Sequence, residues 1–308
     1  MTSLPPVRPI DPVELVDVLR LVLTDADGRV PAPQSQARAF ARDLRATSAK
    51  WRGFVVDGTR PSTAGAFLAV CLPGGTAIGL PASPRLPGMQ WAALVRAAEA
   101  TIAALEADGF HYVQSLLECE DVARLELLRE AGFLNITRLE YLERNTRYPF
   151  VEANNGRVTN WVHYSNASHE QFCRLITSSY ETSLDCPEIN GLRPIEDILA
   201  THRSCGEFNP ALWFVAEVDG ETAGCILVGP HPKRSFGEVT YMGIAPSFRG
   251  QGLGDVLVRH ALIACRSAKM ERMILVVDQR NTPAKRVYAR NGFQPFAARS
   301  ALVRIFSR

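Results

Sequence analysis

No stretch of this 308-residue chain approaches the roughly 18 consecutive apolar residues that cross a bilayer, so no membrane partner is expected. Residues Met1 to Ile10 carry three prolines and no apolar run behind a basic cluster, which does not read as a secretory signal and leaves the cytoplasm as the default compartment. Seven cysteines are scattered without a Cys-x-x-Cys pair, and an odd, unpatterned set argues for free thiols in a reducing environment. Six histidines are present, and no two stand three to five apart beside cysteine or carboxylate partners. No structural zinc, and no metal of any kind, is expected from that spacing. A basic excess is missing too: residues 1–150 hold 16 Lys and Arg against 17 Asp and Glu, and residues 151–308 hold 18 against 15. Phosphate-backbone recognition needs more positive charge than that, which leaves nucleic acid out as a partner.

What is present suits a folded protein of more than one domain. A hydrophobic fraction of 46% with 21% charged residues can build a proper core, and the length exceeds that of one ordinary domain. In the second half, Val158–Tyr164 alternates as a strand, and Glu170–Tyr180 follows with helical spacing through Phe172, Leu175, Ile176 and Ser179. After a polar loop and a short helix at Ile195–His202, strands at Ala211–Val218 and Thr222–Val228 flank the hairpin signal Asp219-Gly220-Glu221. A strand at Phe236–Ile244 leads through a glycine-rich turn into a helix at Asp255–Lys269. The continuous apolar run Met273–Val277 predicts a strand buried on both faces. A helix at Pro283–Asn291 then stops at Gly292, with the last strands in 293–306. The first half repeats this order, through a long amphipathic helix at Gly88–Ala107, a strand at Tyr112–Leu117 and a helix at Val122–Glu130 that stops at Gly132-Phe133. That ending lies 160 residues before Gly292-Phe293. The pattern predicts a tandem repeat, with a first domain over 1–150 and a second over 156–308, joined where Pro149, Asn154, Asn155 and Gly156 break the periodicity.

The glycine-rich turn reads Arg249-Gly250-Gln251-Gly252-Leu253-Gly254, between a strand and a helix. Glycines let backbone N–H groups approach an anion without Cβ clashes, and the following helix adds its unpaired N–H groups and the positive end of its dipole. Such a turn suits a diphosphate. It is neither a Gly-x-Gly-x-x-Gly dinucleotide loop nor a Walker loop, and taken alone it could equally be a plain turn at a helix start.

In context the sequence resembles the GNAT superfamily of N-acyltransferases. Its signature, Arg/Gln-x-x-Gly-x-Gly/Ala at a strand-to-helix junction, is met by Arg249, Gly252 and Gly254, and a second element follows in Asn281, Ala284, Tyr288 and Gly292-Phe293. The resemblance is specific over 236–293, weaker back to 158, and rests on element order over the first half. It implies an α/β (α+β) chain of two tandem GNAT-like domains, each a mixed, mostly antiparallel sheet flanked by helices. It also implies acetyl-CoA, or another acyl-CoA, as co-substrate. The loop Arg249–Gly254 with Asp255 would hold the pyrophosphate, and Met242, Gly243 and Ile244 on the preceding strand would meet the pantetheine arm. Tandem architecture of this kind resembles the mycothiol synthases, in which the C-terminal repeat carries the transfer.

Acyl transfer to an amine needs a proton removed from the ammonium, the carbonyl oxygen stabilised, and the departing thiolate protonated. Glu238 stands where several GNAT proteins have a base; it could also be an acidic residue on a solvent-facing strand. Tyr288 occupies the position of the general acid, and a tyrosine with its ordinary pKa of about 10 is a ready proton donor at neutral pH. Asn281 could contact the pantetheine or simply cap the helix that follows. Cys225 and Cys265 lack a His-Asp setting and are expected in the core. Aligning Gly132 with Gly292 puts Leu128 opposite Tyr288 and Asp121 opposite Asn281. The matching turn in the first half carries Pro84 and Pro87, which cannot donate N–H groups to a phosphate. The first domain is therefore expected to be degenerate and non-catalytic. The loop between the first two helices of the second half holds Glu181, Asp185, Cys186, Glu188 and Glu196, carboxylates that would draw a cationic acceptor. The expectation is an acyl-CoA-dependent N-acetyltransferase acting on a primary amine of a small molecule by direct attack in a ternary complex. The alternatives are a CoA-binding sensor or scaffold without turnover, or an acetyltransferase of protein lysines or N-termini.

Overall fold

The computed structural model describes residues 5–25, 27–47, 49–58, 63–149 and 158–306. In chain order the first half forms β1 (Val7–Pro9), α1 (Leu15–Val22), α2 (Gln34–Ala46), β2 (Trp51–Asp57), β3 (Thr63–Leu72), β4 (Thr76–Pro81), α3 (Trp91–Ala107), β5 (Tyr112–Leu117), α4 (Val122–Glu130) and β6 (Leu134–Asn145). The second forms β7 (Asn160–His163), α5 (His169–Ser179), α6 (Ile195–Ser204), β8 (Trp213–Val218), β9 (Glu221–His231), β10 (Phe236–Ile244), α7 (Leu253–Ser267), β11 (Arg272–Asp278), α8 (Thr282–Arg290) and β12 (Gln294–Ile305). Among the described residues no helix is long and apolar enough to cross a membrane.

The chain divides into two compact units. One is Met1–Ile136 with Arg299–Arg308, the other Thr137–Ala298. In each, one pair of neighbouring strands is parallel and the rest antiparallel, the mixed sheet that the sequence leads one to expect. The parallel pair has the same register in both: Thr76 faces Tyr112 and Phe236 faces Arg272, each partner 160 residues on. That coincidence is what a duplicated fold produces. Helices α4 and α8 begin alike as well. Asp121 accepts the amide of Arg124, and Asn281 accepts the amide of Ala284, each supplying an orphan N–H of the first turn with an oxygen.

The last strand of each repeat is where sequence and structure divide the chain differently. β6 pairs with β11, Met273 opposite Arg144, and β12 pairs with β5, Leu302 opposite Ser115. Each repeat thus contributes its final strand to the sheet of the other, so the compact units change over near 136 and 298 rather than at 150–156. A repeat boundary follows chain similarity, whereas a compact unit follows strand pairing. The expected linker at 150–157 lies outside the described residues.

Within the second unit the sheet separates two cores. Leu257, Val258, Ala261 and Cys265 of α7, with Tyr288 of α8, pack on Val239, Met273, Leu275 and Val277. Phe172 and Ile176 of α5, with Leu199 of α6, pack on Trp213, Val215, Cys225 and Leu227 of β8 and β9. Because α5 and α6 lie over β8 and β9, the far face of β11 is only half covered. Ile274 and Val276 remain partly exposed, so the expectation of a strand buried on both faces is corrected to one.

Candidate active site

β10 and β11 run parallel from Phe236 to Val239, and among the described residues their ladder ends at Val239 opposite Leu275. β10 bulges between Val239 and Tyr241 and continues along β9 as far as Ile244. Beyond Val239 it therefore has a partner on one side and a widening gap on the other. Met242 and Ile244 turn their side chains to the α7–α8 core. Gly243 faces the other way, where a Cβ would stand 2.5 Å from the Ser179 hydroxyl and 2.8 Å from the Tyr241 ring. No other residue fits without moving α5.

The glycine turn follows at the end of this strand. Gly250 and Gly252 have φ of 74° and 83°, and a Cβ on either would meet no atom within 4 Å. Their need for glycine is conformational, and the space beside them is open. Gly254 is different: a Cβ there would lie 3.1 Å from Val287, so it allows α7 and α8 to approach closely. Gly252 is the residue before the 15-residue α7. Two left-handed glycines, open space at their Cβ positions and the positive end of a long helix fit the demands of a diphosphate.

The side chains around the turn are engaged with protein partners. Arg249 donates to the carbonyls of Ile244, Ser179 and Glu181 and to the Thr182 hydroxyl, at 2.7 to 3.1 Å. It ties the turn to the C-terminus of α5, so its guanidinium is a brace. Gln251 donates to the Ser247 carbonyl. Asp255 accepts from Arg290 at 2.6 Å and from Asn291 at 2.8 Å, which joins the first turn of α7 to the end of α8. Leu253 is buried in the core below. What these residues can offer an anion is main chain.

Tyr288 lies in α8 at 6% exposure, its ring edge-on to Phe293 at 5.8 Å. Burial, and then the charge of Asp185, push its phenol well above the ordinary range, which keeps it a proton donor. Glu238 takes the opposite face. Its neighbour Val239 packs in the core of Tyr288, and Glu238 itself accepts from, or shares a proton with, His231 Nε2 at 3.0 Å. The Cys205 thiol feels the Glu238 charge and, mainly through burial, is pushed up to about 11. The sheet thus brings base and acid candidates to the parting strands from its two sides. Of the two uses weighed for Asn281, the structure shows the cap: its oxygen accepts the Ala284 amide at the start of α8, and its side chain also hydrogen-bonds Asp185.

Several residues at this site carry no motif. Asp278 closes β11 fully buried and accepts from Thr137 at 2.7 Å and Arg280 at 2.7 Å. Burial alone would raise its pKa; the bonds from Arg280, Thr137 and two amides outweigh that and leave it lowered. Asp185 is reachable by water yet crowded by protein, and desolvation raises its pKa. Arg280 also grips Glu188 through both oxygens, at 2.6 and 2.9 Å. Tyr241 bonds the Ser179 hydroxyl at 2.6 Å, with the His202 ring 5.4 Å away. Desolvation lowers His202 to about 4. A lone acid ending an apolar run was the only trace of Asp278 in the sequence. Cys225 and Cys265 are buried core residues, both pushed up to about 12 by burial. In the first unit, Leu128 fills the position equivalent to Tyr288 and is fully buried.

Residues 176–293 match the Acetyltransferase (GNAT) family. Over 113 residues the chain is 38% identical to a mycothiol acetyltransferase of Thermomonospora curvata, covering 37% of each chain. It is 34% identical over 126 residues to one of Acidothermus cellulolyticus, covering 36% of this chain and 37% of the relative. The matches thus span little more than a third of those relatives' length. Among solved structures, a GCN5-related N-acetyltransferase from Sphaerobacter thermophilus has the same fold along nearly the whole chain, with TM-score 0.66, 16% identity and coverage of 98% and 97%. A tandem GNAT protein from the clavulanic acid biosynthesis pathway gives TM-score 0.55, 15% identity and coverage of 98% and 99%.

Proposed function

A GNAT acetyltransferase domain occupies residues 176–293, and on that premise we propose that the protein transfers an acetyl group from acetyl-CoA to a primary amine of a small molecule, by direct attack in a ternary complex. Acetyl-CoA supplies the acyl group as a thioester. Main-chain N–H groups of Gly250 to Gly254 hold its pyrophosphate, and the open edge of β10 at Met242–Ile244 pairs with the pantetheine arm. An amide near Met242 and Gly243 polarises the carbonyl oxygen. Glu238, braced by His231, takes the proton from the incoming ammonium, and Tyr288 returns one to the departing sulfur. The second unit carries the reaction, and the first is its non-catalytic counterpart. Free thiols at all seven cysteines support a reducing, cytoplasmic setting.

The observation that carries this reading is the parting of β10 from β11 after Val239, on the strand that leads into the glycine turn and shares a core with Tyr288. A thiol-release assay over an amine panel, with calorimetry of CoA binding, tests it. Turnover of at least one amine with release of one thiol per amide is the expected result. Tight CoA binding with no turnover on any acceptor would favour the sensor reading, and absence of CoA binding would end both.

A further inference from the structure

A second cluster of chemically capable side chains stands apart from the glycine turn, between α5 and α6. His169 and Cys173 lie one turn apart on α5, and Glu196 enters from the first turn of α6. His169 Nε2 is 2.8 Å from Glu196 Oε1 and 3.5 Å from Cys173 Sγ, and that sulfur is 3.7 Å from the same carboxylate oxygen. All three donor atoms fall within 4.8 Å of one another.

Two readings of this triangle differ in where the proton goes. In a nucleophile–base–carboxylate relay, the imidazole uses one nitrogen for the thiol and the other for the acid. Here thiol and carboxylate both face Nε2. Nδ1 points away, to the Tyr164 hydroxyl at 2.7 Å. One N–H at Nε2 can serve only one of its two neighbours, so the arrangement makes a poor relay. A cation among the three atoms would satisfy all of them.

The distances suit that cation. With zinc bonds of about 2.05 Å to nitrogen, 2.3 Å to sulfur and 2.0 Å to oxygen, tetrahedral angles put N and S about 3.6 Å apart, S and O about 3.5 Å, and N and O about 3.3 Å. The first two are met within a few tenths of an ångström, and the third needs the exposed Glu196 carboxylate to swing outward. Tyr164 supplies the outer partner that metal-bound histidines use, fixing the ring so that Nε2 carries the lone pair. Arg203 in turn donates to the Tyr164 hydroxyl and lies over its ring.

We propose that His169, Cys173 and Glu196 form a binding site for a divalent transition metal of zinc-like softness, with a fourth position left for water. Spacing between histidines could not reveal this site, because two ligands come from a His/Cys pair four residues apart and the third from another helix. Its place in the fold gives it a role. It would pin α5 to α6, and the end of α5 supplies the Ser179 carbonyl that receives Arg249 from the glycine turn. The loop between these helices carries Asp185. The metal therefore acts as a staple for the acceptor side of the site, distinct from the chemistry of transfer.

Titration of chelator-treated full-length protein with Co2+ tests the proposal without reference to activity. One Co2+ per chain is expected, with visible bands of a tetrahedral site and a near-ultraviolet thiolate-to-metal band, both displaced by Zn2+. Cys173→Ser removes the thiolate band, His169→Ala abolishes saturable binding, and Tyr164→Phe weakens it by about 10 to 100-fold. Glu196→Gln weakens it while leaving the thiolate band in place. No saturable Co2+ binding to the wild type, or bands that persist unchanged in both Cys173→Ser and His169→Ala, would overturn it. Circular dichroism on each variant separates loss of ligand from loss of fold.

Discussion

The Asp185 carboxylate accepts the backbone N–H of Asp278 at 3.0 Å, and the Asp278 carboxylate accepts the N–H of Cys186 at 3.1 Å. This reciprocal clasp fastens the loop before α6 to the end of β11, beside the gap where β10 turns away. It also holds an acid near Tyr288, whose proton affinity that acid raises.

Asp185→Asn tests the clasp. The amide oxygen can still accept from Asp278, while the charge is gone. The folded state holds the Asp185 proton more tightly than an unfolded chain does, because desolvation raises its pKa. Between the unfolded carboxylate value of about 3.9 and the raised folded one, the folded state binds more protons, so this group lowers stability as pH rises. Denaturant midpoints measured from acid to neutral pH are expected to lose that component in the variant, with the fold intact. An unchanged slope would remove Asp185 from the account.

Tyr288→Phe keeps the ring against Phe293 and removes only the hydroxyl. If Tyr288 protonates the leaving thiolate, kcat falls by about 10² to 10⁴-fold while KM for acetyl-CoA stays within a few-fold. Steady-state thiol release checks this, and equal kcat in the two proteins would assign the hydroxyl no part in the reaction.

The two glycines bordering the gap should respond differently to alanine. At Gly252 the space is open, and the cost is the left-handed backbone alone, about 1–2 kcal/mol. At Gly243 the backbone is ordinary, but the new methyl runs into Ser179 and Tyr241, an overpacking worth about 1–3 kcal/mol. Gly252→Ala is therefore expected to weaken CoA binding with a modest loss of stability. Gly243→Ala is expected to disturb α5 and the Tyr241–Ser179 bond as well. Calorimetry and denaturant melts on both proteins distinguish the two effects.

His202 predicts an acid-side weakness. Its folded pKa is lowered to about 4 by desolvation, with Arg193 adding to the effect. Between the ordinary histidine value of about 6.5 and pH 4 the unfolded state binds more protons, so stability present at neutral pH is lost as pH falls. His202→Gln should flatten the decline across that window. A decline of the same size in the variant would assign it to other groups, His260 among them, whose pKa burial also lowers to about 4.

Much of this was legible from local pattern. Strands β5 and β10 and helix α4 fall where periodicity put them, because alternation, apolar spacing and a glycine stop are each set by a few neighbouring residues. The turn at Gly250 and Gly252 was legible for the same reason. What escaped was non-local. Arg249 stands in the motif, and its second task as a brace on α5 depends on the carbonyls of Ser179 and Glu181, 70 and 68 residues away in sequence. Asp278 and Asp185 are 93 residues apart, and His169 meets Glu196 only because α5 packs on α6. The His231 partner of Glu238 follows from the β9–β10 hairpin register, which a sequence does not print.

The reciprocal use of β6 and β12 bears on how the protein can be taken apart. Cutting the polypeptide in its middle would leave each fragment carrying a strand shaped for a sheet it does not possess, while lacking the one its own sheet requires. Neither piece would be a shortened version of the intact molecule. For the same reason, a duplicated ancestor that came to interleave its tails in this way could no longer shed either copy without robbing the other's sheet of a strand.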